Sequence, residues 1–140
     1  MSSLSFPDVN VWLALATAEH AHHGLATRWW DEATGRIAFS RITQLGFLRL
    51  MTTAAAMDGR PLSMTAAWSV HDRLFEDDRV VFVPEPAVVD PGFRQNTSGG
   101  TASPKIWADA WLLAFATAAE GTVITFDRAL AARGAHSLLE

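Results

Sequence analysis

Leu4-Ser5-Phe6-Pro7-Asp8-Val9-Asn10-Val11-Trp12-Leu13 is an apolar run that stops at a carboxylate and resumes after an asparagine. The pattern predicts a short strand over residues 3–7 that runs into a helix over 10–16. An acid at such a joint lies at the carboxyl end of its strand, where open α/β sheets gather their functional groups. The partners of Asp8 therefore decide what the chain can do.

Outward from this stretch, three more strand-like runs appear at 36–40, 80–83 and 122–126. Between them the apolar spacing predicts helices over 24–33, 42–51, 64–75 and 105–120, with Ser63 as an N-cap and Gly35 and Gly121 as terminators. The helix over 42–51 is apolar around most of its circumference and is expected at the centre. Asp90-Pro91 has the N-cap and first-position proline of a short helix, and 95–102 reads as a loop. Strands alternating with helices predict an α/β fold: a parallel sheet of about four to five short strands with helices on both faces.

The 140 residues suit one domain, 1–140, and are 49% hydrophobic and 19% charged, the composition of a folded protein. With no cysteine, disulfides and thiolate metal sites are excluded. The apolar patch at 11–18 is much shorter than the roughly 20 residues of a membrane span. The N-terminus lacks the basic region of a signal peptide, so a cytoplasmic protein without membrane contact is expected. A net charge of −4 argues against coating nucleic acid by bulk electrostatics, although it leaves room for local binding through a metal.

Asp127 repeats the logic of Asp8, directly after an apolar strand, with a helix N-cap as its alternative role. Asp109 falls on the same helical face as Ile106, Leu113 and Ala116, the face that helix is expected to bury. A carboxylate there needs a cation or a base, and Lys105, one turn earlier, is the base within reach. Asp58, Asp72, Glu76, Asp77 and Asp78 fall in a turn or on exposed faces and are read as solvated. Three carboxylates converging from two strand ends and a helix would hold Mg²⁺, or Mn²⁺, through oxygen ligands, which suits phosphoryl chemistry.

Four segments now carry a resemblance: Phe6-Pro7-Asp8-Val9-Asn10-Val11-Trp12-Leu13, Ile42-Thr43-Gln44-Leu45-Gly46-Phe47-Leu48-Arg49-Leu50, Asp109-Ala110-Trp111-Leu112-Leu113-Ala114 and Ile124-Thr125-Phe126-Asp127. In this order they resemble the motifs of PIN-domain ribonucleases, and among them the VapC toxins of toxin–antitoxin systems. The similarity spans nearly the whole chain. It implies a PIN-like three-layer fold and a Mg²⁺-dependent endoribonuclease that hydrolyses RNA with a metal-activated water. Asp8, Asp109 and Asp127 match the catalytic, metal-binding acids, Asn10 the supporting asparagine and Thr125 the hydroxyl beside the last acid. It further implies a cognate antitoxin, a homodimer, and DNA contact left to the partner.

Gln44 departs from the pattern, standing where many members carry a glutamate. An amide offers a carbonyl oxygen but no charge, so a second metal is expected to be weak or absent. Arg41, Arg94, Lys105 and Arg128 flank the expected site and are candidate phosphate contacts, with solvated surface charge as the alternative. The six tryptophans are read as core and interface residues. Trp107 and Trp111 stand close to Asp109, and base stacking would require them to be exposed. His20, His22 and His23 lack the spaced further ligands of a zinc site and read as a solvated helix start. Two other classes are weighed against the nuclease. A haloacid-dehalogenase-type phosphatase needs a second acid where Asn10 stands, and a PIN-like binding module weakened by Gln44 would act only through its partner.

Overall fold

In the computed structural model, which describes residues 3–139, five parallel strands form one sheet in the order β3-β2-β1-β4-β5. The strands are β1 (Leu4–Pro7), β2 (Arg36–Phe39), β3 (Val80–Phe82), β4 (Thr122–Thr125) and β5 (His136–Ser137). Helices α1 (Val9–Ala16) and α2 (His23–Glu32) join β1 to β2, and α3 (Arg41–Met51) and α4 (Met64–Leu74) join β2 to β3. Beyond β3 come α5 (Val89–Asn96), a 3₁₀ turn at Pro104–Ile106, and α6 (Trp107–Ala118), which leads into β4; α7 (Arg128–Ala132) connects β4 to β5. The chain moves from β1 outward to β3, then crosses back to lay β4 on the other side of β1. The carboxyl ends of β1 and β4 thus flank the switch point, where such sheets leave a crevice.

Alternation along the strands sorts the core into two layers. Leu4, Phe6, Ala38 and Val123 pack under α6 with Leu112, Phe115 and Ala116. Ile37, Phe39 and Val80 face the other way, against Trp12, Leu13, Phe47, Met51 and Ala67 of α1, α3 and α4. Ile124 and Phe126 join Val11, Ala14 and Ala26 on that side. Helices on both faces of a parallel sheet give the three layers the sequence predicts.

Close packing at one glycine fixes the neighbourhood of Asp8. A Cβ on Gly46 would stand 2.6 Å from a Val9 methyl, so a larger residue there would push α3 away from the start of α1. Ser40 caps α3 through a reciprocal capping box with Thr43, which anchors the same corner.

Several boundaries differ from the sequence expectation. Helix α3 is not central: it packs against α1 and α4 with Thr43, Gln44, Phe47 and Met51 inward, and Leu45 is left 58% exposed. Asp90 is not an N-cap, because α5 begins at Val89 and Asp90 pairs with Arg94 one turn on. The same helix continues through Gln95 and Asn96, so the loop begins at Thr97. Pro104 starts a 3₁₀ turn rather than the long helix itself, which delays α6 to Trp107. No helix among the described residues is long and apolar enough to cross a membrane.

Candidate functional site

Asp8, Asp109 and Asp127 line one cleft of about 140 Å³ at the carboxyl ends of β1 and β4, together with Asn10, Ile42 and Thr43. Each acid arrives by a different element. Asp8 follows β1 and caps α1, its Oδ1 accepting the Val11 N–H at 3.1 Å. Its backbone N–H donates to the Ile124 carbonyl at 2.9 Å, which ties the residue to β4. Asp127 follows β4 and caps α7, accepting the N–H groups of Ala129 and Leu130 at 2.8 and 3.2 Å. The capping role and the place in the cleft hold together for Asp127. Asp109 comes from the first turn of α6, where a carboxylate also suits the helix dipole.

Thr125, fully buried at the end of β4, connects two of the acids. Its hydroxyl donates to Asp8 Oδ2 and accepts the Asp127 N–H at 2.9 Å. Burial lifts the Asp8 carboxyl above the ordinary carboxylate range, and Asp109 adds to the lift, while the bonds from Thr125, Val11 and Asn10 act against it. Burial also lifts Asp109, followed by repulsion from Asp127, with Arg133 pulling the other way. Arg133 offsets the burial and the neighbouring acids only in part, and a bound cation is the remedy such a site invites.

All three donors are hard oxygens, the ligands Mg²⁺ prefers, so the residues fit that ion chemically. As placed, no three His, Cys, Asp or Glu side chains among the described residues close on one ion position. Asp8 and Asp127 instead spend oxygen lone pairs on backbone and hydroxyl donors.

Two expectations for this region are corrected. Asp109 is half-buried at the cleft rather than sunk with the apolar face, since α6 buries Ala110, Leu112, Ala114, Phe115 and Ala116. Its basic neighbour is Arg133, after α7, and not Lys105, which is exposed and unpaired among the described ion pairs.

Gln44 does not line the cleft. Its Oε1 accepts from Arg41 Nη1, and its Nε2 lies 3.2 Å from His71 Nε2. An amide nitrogen can only donate, so His71 Nε2 accepts and the ring proton sits on Nδ1, which donates to Asp72 Oδ1 at 2.9 Å. His71 is buried among Phe39, Trp68 and Phe75, and this buried pair was not foreseen from the sequence. Arg41 itself lies over the Phe82 ring, 4.7 Å from its centroid. The exposed Arg128 begins α7, directly after Asp127, whereas Arg94 is tied up with Asp90. Asn10 is exposed on the rim of the cleft.

This arrangement agrees with what the chain is similar to. The PIN domain family model matches residues 5–135. Ribonuclease VapC41 of Mycobacterium tuberculosis is 36% identical over 137 residues, covering 94% of each chain. Ribonuclease VapC44 of the same organism is 34% identical over 134 residues, covering 89% of this chain and 86% of its own. Among solved structures, M. tuberculosis VapC20, described as a Sarcin-Ricin loop cleaving toxin, superposes with a TM-score of 0.67 over 93% of this chain and 95% of its own. At 17% identity that match speaks for the fold alone. The chain therefore belongs to the PIN domain family, among its VapC-type members.

Proposed function

We propose that residues 1–140 form a single endoribonuclease domain, the toxin of a toxin–antitoxin pair, which acts in the cytoplasm on RNA phosphodiesters. The observation that carries this reading is the placement of Asp8, Asp109 and Asp127 in one cleft at the switch point of the sheet, Asp8 and Asp109 each lifted by burial and by a neighbouring acid. These three residues are the catalytic acids and would hold Mg²⁺, with Mn²⁺ as a substitute. When bound, the cation supplies charge neutralisation at the phosphate and an acidified attacking water.

The chain's own groups do the rest. Thr125 and the α1 backbone orient Asp8, and Asn10 stands beside it on the rim. Arg41, Lys105 and Arg128 are exposed, unpaired among the described ion pairs, and available to backbone phosphates. Gln44 contributes at one remove by holding Arg41. The relatives named ribonucleases support the nuclease assignment, and the negative charge of −4 supports leaving DNA contact to a partner.

Ile42, Leu45, Met64 and Trp68 place exposed apolar side chains on α3 and α4, with Ile42 also on the cleft wall. This surface supports a cognate antitoxin reaching the cleft, and a homodimer. The cellular test is expression of the chain alone. Growth arrest relieved by Asp8→Ala is the expected result, and arrest that Asp8→Ala leaves intact would exclude the acid cleft as its cause.

A further inference from the structure

Beside the acid cleft lies a second cavity of about 500 Å³, walled by Thr97, Gly100, Ser103, Ile106, Trp107 and Arg133. Trp107 is 56% exposed, whereas Trp12 is wholly buried and Trp111 packs on Phe115. Of the roles the sequence leaves open for Trp107, this exposure excludes the core and meets the condition for stacking. Its indole is nonetheless held, standing edge-on to Phe93 with ring centroids 6.1 Å apart. An aromatic face kept in place but left open to solvent is a stacking platform in form.

The cavity and the cleft adjoin along the chain: Ile106 and Trp107 wall the first, and the next two residues, Ala108 and Asp109, line the second. Arg133 belongs to the cavity wall, is anchored by a 2.8 Å bond from Nη2 to the Asn96 carbonyl, and acts electrostatically on Asp109. A guanidinium on the wall of an aromatic pocket, its charge felt by an acid of the neighbouring cleft, suits a phosphate that joins two nucleotides. The remaining wall offers the hydroxyl of Ser103, while that of Thr97 donates to the Phe93 carbonyl at 2.9 Å and keeps only acceptor capacity for a base edge.

We infer that this cavity is a nucleobase subsite for single-stranded RNA, in which a base flanking the cleaved bond stacks on Trp107 while Arg133 holds the adjoining phosphate. It rests on RNA being the substrate proposed above. Trp107 is then a specificity-determining residue, since only an unstacked base can enter.

The test uses the full chain with Asp8→Ala, so that RNA is bound in Mg²⁺ without being cut. The probes are a fluorescein-labelled single-stranded RNA of mixed sequence and a set of the same strand with one abasic position each. Adding Trp107→Ala should weaken binding of the intact strand about tenfold, the scale of one lost stack. Trp107→Phe should recover most of the loss. One abasic position should weaken the Trp107 form by a similar factor and leave the Trp107→Ala form unaffected. Equal affinity of the Trp107 and Trp107→Ala forms for the intact strand would overturn the subsite. If RNA cleavage by the unsubstituted chain persists in that case, the nuclease reading stands without it. If the unsubstituted chain neither binds nor cuts RNA, both fall.

Discussion

The Thr125 hydroxyl donates to the Asp8 carboxylate, across the seam where β1 and β4 pair in parallel. The same oxygen accepts the Asp127 N–H, so one side chain sets the relation between two of the acids. Thr125→Val keeps the shape and removes both bonds. It should lower stability by about 1–3 kcal/mol, because the half-buried Asp127 N–H and an Asp8 carboxylate oxygen lose their partner. It should also move the acid limb of the cleavage pH profile upward. The Thr125 bond holds the Asp8 carboxyl down, and without it a higher pH is needed to ionise the acid. Thr125→Ser should restore the profile, and an unmoved acid limb in Thr125→Val would show that the bond does not tune Asp8.

Asp109 bears on stability in the opposite sense from a salt-bridged acid. Its folded-state carboxyl is raised, so the native chain binds more protons than the unfolded one. Stability then falls as pH rises from the ordinary carboxylate value through the folded one, and the whole cost is present at neutral pH. Asp109→Asn should therefore melt higher than the unsubstituted chain in EDTA. Mg²⁺ should raise the melting temperature of the unsubstituted chain and much less that of Asp109→Asn. A lower melting temperature for the variant in EDTA would contradict the burial and repulsion described for Asp109.

Gln44 should matter to the fold more than to the metal. Gln44→Leu leaves His71 Nε2 without its donor and Arg41 without its acceptor, at a cost of about 1–3 kcal/mol in urea unfolding. Because Gln44 lies outside the cleft wall, Mg²⁺ affinity by calorimetry should be little changed. The RNA-free chain should take up one tightly bound Mg²⁺. Two tight sites would contradict the weak or absent second metal, and a large loss of affinity in Gln44→Leu would place Gln44 in the metal site after all.

What the sequence showed well was local. Asp8 and Asp127 each follow an apolar run, and strand ends converge at one sheet edge whatever the loops do. Asp109 was legible as a member of the set, but its surroundings were not, because α6 is apolar on nearly every side and periodicity cannot single out one buried face. Its basic neighbour Arg133 comes from beyond β4 and α7, 24 positions on, which no local spacing reveals. The pairing of Gln44 with His71 spans 27 positions and two helices, so no local pattern could announce it. For Trp107 the sequence leaves core, interface and stacking roles open, and the turn at Pro104–Ile106 decides for exposure by leaving it at the open start of its helix.

Cleavage of a labelled single-stranded RNA shows whether the cleft of Asp8, Asp109 and Asp127 cuts RNA with a divalent cation. The unsubstituted chain should cut in Mg²⁺ and stop in EDTA, and Asp8→Ala and Asp109→Asn should each be slower by about two orders of magnitude or more while remaining folded. Cleavage that persists in both variants and in EDTA would exclude the acid cleft as a metal-dependent nuclease site.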